Sequence, residues 1–426
     1  MSNQQSRPLK GMADIVSPEI ERWQWVERMG REVMARYDFR EVRTPVLEYT
    51  ALFQHDLGET TDVVQKEMYA FSDRKGRDIC LRPEGTAGVM RYVAANQQET
   101  AQARLFYVGP MFRCENVQKG RRRQFHQMGV EAVGAPSPFL DAEVIDLQLR
   151  LLDAWGISDY SLEINTRGTP EDRVKVQEGL REVLAPLTDQ LCGDCQNRLE
   201  SNVLRVIDCK NPGCKKVVAD LPPMTDFMSA EARDYLDQVC AQLDEWDVAY
   251  TRNPCLVRGL DYYAQTVWEI SSTAVGAQSA LAGGGRYRME GGGKPVEGVG
   301  FAMGLERIMI ALGAEADVWD GRAARPLIWL LGLGEEAFAA QRKQLAGLRR
   351  AGLPVAMSGE RKSFKGQMKQ VDRRKATVAV IVGEQELADG VAQVKDLAEG
   401  TQETVSLADL ESYLTAQKMS GATCGL

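Results

Sequence analysis

The sequence predicts an α+β fold with a helical insertion and a small α/β domain at its C-terminal end. Three observations indicate this. Residues 104–131 place an apolar strand before a glycine-centred basic tip and a strand of alternating apolar and polar side chains after it. Residues 167–248 are charged and mostly helical in pattern, and residues 325–426 alternate apolar strands with helices. Alternation of apolar and polar residues is typical of half-buried strands, and strands that alternate with helices are typical of an α/β sheet.

The composition indicates a globular chain of two to four domains. It has 426 residues, 44% of them hydrophobic, and a formal charge of −8 from 60 acidic and 52 basic residues. This acidic total argues against sequence-blind coating of DNA but allows a focused contact with RNA. Because no apolar run approaches a membrane span and the N-terminus lacks the apolar centre of a secretion signal, we expect a cytoplasmic protein without membrane contact.

The N-terminal third predicts a helix and then a broken strand. Ser17 and Pro18 suit a helix start, and a strand over residues 39–53 is interrupted at Pro45, which cannot donate to a sheet ladder. The apolar positions with helical spacing are Ile20, Trp23, Val26, Met29, Val33 and Tyr37.

A strand-to-helix turn follows at residues 82–86. It carries Glu84 and Thr86. An acid in the first helical turn interacts favourably with the positive end of the helix, so helix capping and ligand binding both remain open for this pair.

The hairpin at residues 104–131 is the central prediction. Gly120 allows the turn within the basic tip, residues 118–123. Arg113, Glu115, Gln127 and Glu131 would stand on its polar face. Such a face either lies in solvent or forms a site for a substrate that is anionic at one end and cationic at the other.

The middle of the chain predicts a helix at 138–155, a strand at 160–168 and then the helical insertion. The insertion contains two cysteine pairs, Cys192 with Cys195 and Cys209 with Cys214. Four thiols suit tetrahedral zinc, but the second spacing is wide for a zinc knuckle, so free thiols remain the alternative.

Three segments after the insertion combine polar clusters with small residues. Residues 256–270 place Arg258, Asp261, Tyr262 and Tyr263 before a buried strand. Residues 282–287, AGGGRY, form either a plain loop or a place where backbone approaches a ligand. Residues 298–312 predict a small-residue strand that enters a helix.

The last hundred residues predict strands alternating with helices after a linker at 317–325. Their positive charge marks either a solvated face or a nucleic-acid surface. The residues concerned are Arg361, Lys362, Lys365, Lys369, Arg373, Arg374 and Lys375.

Several of these segments together resemble one enzyme family. FRCENVQKGRRRQFHQMGVE resembles motif 2 of the class II aminoacyl-tRNA synthetases, in the form found in histidyl-tRNA synthetases. The first helix with its proline-bearing strand resembles motif 1, and GVGFAMGLERIMIAL resembles motif 3. LRPEGT resembles the amino-acid pocket segment of the histidyl enzymes, and LVRGLDYY and AGGGRY resemble their two signatures.

The resemblance implies a fold and an activity. The fold is a class II antiparallel-sheet catalytic domain of residues 1–166 and 249–320, a helical insertion domain of residues 167–248, and an α/β anticodon-binding domain of residues 325–426. The activity is ATP-dependent formation of histidyl-adenylate from L-histidine, with Mg²⁺ bridging the phosphates, and transfer of histidine to the 3′ end of tRNA(His). The resemblance also implies a homodimer, built on motif 1.

The same resemblance assigns site residues. The catalytic cations at the phosphates are Arg113, Arg258 and Arg307. The ATP contacts are Arg113, Glu115, Arg121, Arg123, Phe125 and Arg307. The histidine contacts are Glu84, Thr86, Arg113, Gln127, Glu131, Arg258, Tyr262, Tyr263 and Tyr287. The tRNA contacts are Gln118 and Lys119, and no residue is assigned to a metal.

The chain departs from the family pattern in two loops. Asn116-Val117 and Arg122 replace residues usual in the motif 2 loop, and Arg288-Met289-Glu290 replaces the usual sequence after AGGGRY.

Two other functions remain as alternatives to a histidyl-tRNA synthetase. One is the synthetase-like regulatory subunit of histidine biosynthesis, and the other is another class II enzyme such as the prolyl or threonyl synthetase. The first typically lacks the C-terminal domain, and the second lacks both histidyl signatures.

Overall fold

The computed structural model describes residues 7–58, 61, 63–260, 262–276, 280–290, 295–313 and 327–421. The chain divides into two compact units, Met1–Trp319 and Asp320–Leu426. Within the described residues, no helix is both long and apolar enough to cross a membrane. The predicted linker at 317–325 and Asp261 lie outside the described residues, as does part of the divergent loop at 288–293.

The first unit combines eleven described strands with eleven described α-helices. Its strands are β1 Arg40–Glu41, β2 Leu47–Tyr49, β3 Tyr69–Ser72, β4 Asp78–Leu81, β5 Arg104–Phe112, β6 Gln124–Val133, β7 Ser161–Thr166, β8 Thr251–Arg252, β9 Tyr263–Ser271, β10 Ala280–Met289 and β11 Val296–Gly304. Its helices are α1 Glu19–Arg36, α2 Thr50–Leu57, α3 Thr86–Ala95, α4 Gln97–Thr100, α5 Pro138–Trp155, α6 Pro170–Leu184, α7 Gly193–Ser201, α8 Leu204–Ile207, α9 Pro212–Ala219, α10 Ala230–Glu245 and α11 Leu305–Leu312.

An eight-stranded sheet organises this unit, in the order β1-β5-β6-β11-β10-β9-β7-β8. All neighbours are antiparallel except β1 with β5 and β7 with β8. The predicted hairpin is confirmed as β5 and β6. AGGGRY lies inside β10, paired on both sides, so the interpretation of this segment as a plain loop is wrong.

The two faces of the sheet have different roles. On β6, Met128, Val130 and Ala132 pack into a core that also contains buried residues of α1, α5 and α10. Gln127 and Glu131 alternate with them and therefore point to the opposite face. That face packs against α2 and α3 in a second core, and it carries the candidate site.

The N-terminal segment differs from expectation at two points. Helix α1 buries the predicted stripe at Trp23 and Val33, but Pro18 holds its N-cap position and no side chain caps it. The broken strand is confirmed as β1 and β2, yet it ends at Tyr49, and α2 occupies the rest of the predicted strand. Strands β2, β4 and β3 form a separate antiparallel sheet in that order.

The insertion is helical, as predicted. Helix α6 begins with a capping box in which Thr169 and Asp172 exchange side-chain and backbone hydrogen bonds. The helices surround their own apolar core, which includes Leu180, Val206 and Cys214.

The second unit is a small α/β domain. Its elements are β12 Ile328–Gly332, α12 Glu335–Arg350, β13 Val355–Met357, α13 Phe364–Arg374, β14 Val378–Val382, α14 Glu384–Ala388, β15 Val391–Asp396, β16 Gln402–Ser406 and α15 Leu410–Gly421. The strand order is β13-β12-β14-β15-β16, parallel among the first three strands and antiparallel thereafter.

Candidate active site

The floor of the candidate site consists of strands whose glycines leave room above the sheet. Gly300 of β11 stands opposite Glu131 of β6, and a β-carbon at Gly300 would overlap the Glu131 carboxylate. A β-carbon at Gly298 would lie 2.7 Å from the Tyr287 hydroxyl oxygen. Because these two positions of β11 are glycines, there is room for the side chains of Glu131 and Tyr287.

Glu131 is the centre of a buried polar pocket. Its side chain lies beside Tyr287 and Thr86, and the residue is 1% exposed. Burial raises the pKa of Glu131 to about 8, against the opposing effect of those two hydroxyls. Among the described residues, both Glu131 carboxylate oxygens, Gln127 Oε1 and the hydroxyls of Tyr107 and Tyr287 lack a hydrogen-bond partner of good geometry.

These orphaned atoms fit a polar ligand. Buried polar groups are normally paired, because leaving one unpaired costs about 1–3 kcal/mol. A carboxylate, an amide oxygen and tyrosine hydroxyls around one space suit a ring that carries two nitrogens, one donor and one acceptor. This set of polar groups is therefore chemically suited to an imidazole.

Glu84 caps helix α3 from a buried position. Its two carboxylate oxygens accept hydrogen bonds of 2.7 Å from the backbone N–H groups of Thr86 and Ala87. Burial raises the pKa of Glu84, although these backbone donors oppose the shift. The capping role is thus observed, and each oxygen keeps a lone pair for the predicted contact with a substrate ammonium group.

Three tyrosines form an aromatic wall next to the pocket. The rings of Tyr262 and Tyr263 are 4.6 Å apart between centroids, and those of Tyr262 and Tyr287 are 5.9 Å apart. All three residues are buried. The wall brings together residues at the start of β9 and within β10, so the two sequence signatures meet in space.

Arg258 stands above β10. Its guanidinium donates a 2.5 Å hydrogen bond to Glu269 of β9. A β-carbon at Gly283 would lie 2.5 Å from that guanidinium. Gly283 is thus required for the position of Arg258, whereas a β-carbon at Gly284 or Gly285 would collide with Trp268 or Tyr263.

The other two predicted catalytic arginines converge on the same region. Burial lowers the pKa of Arg307, and the positive charges of Arg121 and Arg113 lower it further while Glu115 and Glu269 oppose them. Charges perturb one another in this way only at short range. Arg307 therefore lies near Arg113, and Glu269, which binds Arg258, also lies near Arg307.

Backbone contacts hold these arginines in place. Arg113 Nε donates to the carbonyl of Pro83 at 2.9 Å, and its guanidinium lies 5.4 Å from the centroid of the Phe125 ring. Arg307 donates to the carbonyls of Gly120 and Ala280, with a distance of 3.3 Å to the first. Arginine's planar fork suits the binding of phosphate oxygens from such fixed positions.

The hairpin tip carries the remaining predicted contacts. Arg121 donates to Glu115 at 3.0 Å, and Gln118 and Lys119 are exposed at the turn, where Gly120 has a φ of +73°. Arg123 immediately precedes β6, and its backbone N–H donates to the Gly11 carbonyl at 2.8 Å.

Two residues of the site were not predicted from the sequence. Glu269 accepts a hydrogen bond from Arg258 and fixes its position. Tyr107 is buried, and burial raises the pKa of its hydroxyl, with a further contribution from nearby Glu131. Glu269 is a lone acid in the apolar strand TVWEI, and such a residue is a signal that could have been used. Tyr107 carries no comparable signal, because a buried tyrosine in an apolar strand is ordinary.

Comparison with known families assigns both parts of the chain. A family model described as histidyl-tRNA synthetase matches residues 11–308, and one described as anticodon-binding domain matches residues 328–417. A histidine–tRNA ligase of Syntrophotalea carbinolica is 41% identical over 95% of this chain and 97% of its own length. The chain belongs to the histidyl-tRNA synthetase family.

Other relatives and solved structures agree with this membership. The histidine–tRNA ligase of Moorella thermoacetica is 42% identical over 98% of this chain and 99% of its own length. The apo histidyl-tRNA synthetase of S. aureus superposes with a TM-score of 0.79 at 33% identity, covering 96% of this chain and 99% of that one. An ATP phosphoribosyltransferase regulatory subunit/histidyl-tRNA synthetase from Bacillus halodurans shares the fold, with a TM-score of 0.59 at 20% identity.

The class II synthetase fold predicted from the sequence is thereby confirmed, with its antiparallel-sheet catalytic domain and its C-terminal anticodon-binding domain. The family uses ATP to attach an amino acid to tRNA. The roles of the individual site residues remain predictions.

Proposed function

We propose that this chain is a histidine–tRNA ligase that activates L-histidine with ATP and transfers it to the 3′ end of tRNA(His). The observation that carries the proposal is a buried polar cluster around Glu131, together with Arg258 held by Glu269 and an Arg307 that lies near Glu269. Family membership over nearly the whole chain supports the same activity.

Activation joins the amino acid to the nucleotide. A histidine carboxylate oxygen attacks the α-phosphorus of ATP, the bond from that phosphorus to the bridging oxygen breaks, and diphosphate leaves. Arg113, Arg258 and Arg307 neutralise the phosphate charge and align the two anions, which is the main task in such a reaction. Phe125, beneath the Arg113 guanidinium, supplies the surface for adenine.

Selection of histidine follows from the pairing of both imidazole nitrogens. We assign Glu131 and Tyr263 to the ring, with Gln127 and Tyr287 as further pocket contacts. Glu84 and Thr86 bind the substrate ammonium group. A pocket of this kind rejects analogues that leave its buried polar atoms unpaired.

Transfer releases AMP. A ribose hydroxyl at the 3′ end of tRNA(His) attacks the carbonyl carbon of the adenylate, and the bond to the phosphate oxygen breaks. We assign the contact with the acceptor end to the tip residues Gln118 and Lys119, which are exposed. The seven basic residues at 361–375 are all exposed on the second unit and form a surface for the anticodon arm.

We propose that Mg²⁺ would bind at this site together with ATP. The site offers two carboxylates, Glu115 and Glu269, and oxygen is the ligand that Mg²⁺ prefers. When bound, the ion would neutralise charge on the diphosphate leaving group. Both carboxylates are paired with arginines, to Arg121 and Arg258 respectively.

A homodimer is supported by an apolar face of the β2-β4-β3 sheet. Directly opposed residues in this sheet share one face, and six apolar residues of that face are exposed or half-buried in the single chain. They are Leu47, Tyr49, Tyr69, Phe71, Ile79 and Leu81. An apolar patch of this kind marks an interaction surface, and it includes the segment that resembles motif 1.

We further propose that residues 1–166 with 249–320 act as the catalytic domain, 167–248 as the insertion domain and 325–426 as the anticodon-binding domain. We place the protein in the cytoplasm, because its tRNA and ATP substrates are used there.

One charging assay tests the function. The purified chain is incubated with ATP, a tRNA mixture that contains tRNA(His), and histidine, proline or threonine in separate reactions. We expect acid-precipitable charging with histidine alone. Charging with proline or threonine, or no charging together with activation of a phosphoribosyltransferase, would refute the proposal.

A further inference from the structure

The four cysteines of the insertion meet in one cluster, although they come from two separate pairs in the sequence. All four sulfur atoms lie within 4.8 Å of one another. Cys195, Cys209 and Cys214 are buried and Cys192 is half-buried. We propose that these four thiolates bind one structural Zn²⁺ ion.

The distances fit tetrahedral coordination. With Zn–S bonds of about 2.3 Å, the sulfur atoms of a tetrahedral site lie about 3.8 Å apart. Cys192 Sγ and Cys209 Sγ are 3.9 Å apart, far beyond the roughly 2.05 Å of a disulfide. The wide spacing from Cys209 to Cys214 is accommodated because helix α9 begins between them, at Pro212.

Two helices begin at the cluster. Cys192 is the N-cap of α7 and Cys195 lies in its first turn, and Cys214 lies in the first turn of α9. The positive ends of two helices therefore lie next to the cluster. In addition, the backbone N–H of Cys192 donates to Cys214 Sγ at 3.2 Å, and hydrogen bonds of this kind orient metal ligands.

The surroundings compensate the charge of such a site. Four thiolates and one Zn²⁺ carry a net charge of −2. Cys192 and Cys209 line a cleft of about 1030 Å³ whose wall also contains Arg198, Arg205 and Lys210. These three cations outnumber the two acidic residues of the same wall, Asp194 and Asp208.

A metal here would connect elements that are too short to be stable alone. Helices α7, α8 and α9 have nine, four and eight residues, whereas isolated helices below about 12–15 residues are marginal in water. The ion would tie the start of α7 to the α8–α9 connection and to α9. The same ion would shape the insertion side of the cleft, which Arg121 of the hairpin also lines.

Metal analysis of the full-length chain tests this inference directly. The protein is purified under reducing conditions with zinc supplied, dialysed, and analysed by plasma mass spectrometry. We expect about one zinc per chain. In Cys209→Ser, zinc should bind at least about tenfold more weakly, because removing a ligand costs at least as much affinity as removing a residue that hydrogen-bonds to a ligand. Cys240→Ser removes a buried cysteine outside the cluster and should leave the zinc content unchanged.

Cobalt substitution and alkylation keep the inference testable if Cys209→Ser fails to fold. Wild-type apoprotein titrated with Co²⁺ should develop the intense visible absorption of tetrahedral cobalt at one equivalent, and bound Zn²⁺ should protect four cysteines from iodoacetamide. Zinc far below one equivalent with no such absorption would overturn the inference. So would a disulfide between any of the four cysteines in freshly purified, zinc-supplied protein.

Discussion

At the residue scale, the site depends on ionisable groups that the fold buries or fixes in place. Glu131 is buried on β6, and Arg258 is fixed by its hydrogen bond to Glu269 of β9. The placement costs stability, because charged groups lose hydration on burial. The cost is expected where such groups bind a substrate of complementary charge.

Arg258→Ala should abolish adenylate formation while leaving histidine binding measurable. Loss of one preorganised charge at a reaction centre costs about 100- to 1000-fold in rate, and the Glu131 pocket remains. ATP–diphosphate exchange measures the first property and calorimetric titration with histidine the second. Near-normal exchange would contradict the assigned role, and Arg252→Ala, at an exposed ion pair, is the control.

Glu131→Gln should stabilise the free protein at alkaline pH. Since burial raises the pKa of Glu131 from 4.5 to about 8, the folded chain keeps a proton that the unfolded chain has lost between these values. The free energy of unfolding therefore falls as the pH rises from about 4.5 to about 8, by up to about 1.4 kcal/mol per pH unit.

Glutamine carries no such penalty, so the thermal midpoint of Glu131→Gln should exceed that of wild type at about pH 8 and match it near pH 4.5. Glu297→Gln on β11, whose side chain is 35% exposed, is the control. A difference between Glu131→Gln and wild type that does not change with pH would contradict the prediction. The same variant should bind histidine more weakly, because an NH2 group that can only donate replaces one oxygen of the carboxyl group.

At the element scale, strands β10 and β11 leave room for the site because glycines occupy the positions that face it. Gly283 makes room for Arg258, and Gly298 and Gly300 make room for Tyr287 and Glu131. Helix α5 secures β10 from the other face, where Asp141 accepts hydrogen bonds from the buried Arg286.

Gly283→Ala should reproduce much of the Arg258→Ala defect without unfolding the chain. The added β-carbon meets the end of a flexible side chain, so Arg258 moves and the sheet stays. A displacement of about 1 Å can cost about 100-fold in rate. We expect reduced ATP–diphosphate exchange at an unchanged melting temperature. The control is Gly347→Ala on α12, where the added β-carbon meets open space, and this variant should lower neither the exchange rate nor the melting temperature.

Asp141→Asn should destabilise the first unit strongly. It leaves the Arg286 guanidinium buried without its counter-ion, a change that costs about 3–5 kcal/mol. Asp237→Asn, at the exposed pair with Arg252, should cost less than about 1 kcal/mol. Thermal unfolding of the two variants measures the contrast, and equal midpoints would contradict it.

At the scale of the whole molecule, one chain leaves an apolar face uncovered on the β2-β4-β3 sheet. Tyr49→Asp should therefore shift the sedimentation coefficient from that of a dimer to that of a single chain. Val174→Asp introduces the same charge at an exposed apolar residue on α6 and should leave the dimer intact. A wild-type protein that sediments as a single chain at micromolar concentration would refute the dimer.

The sequence by itself determined the elements and their class. The period-two pattern of the hairpin, the apolar stripe of α1 and the strand–helix alternation after residue 325 are local signals, and each predicted its element because side-chain direction follows from backbone geometry over a few residues. Motif strings identified the family in the same way, since they lie within single segments.

Only the tertiary structure decided which residues meet. Gly283 beneath Arg258, Glu269 as its partner and the four sulfurs in one cluster depend on strand register and on how helices pack, and these are set by contacts between residues far apart in the chain. For the same reason AGGGRY could be taken for a loop: nothing local to three glycines reveals the strands on either side that hold them in a sheet.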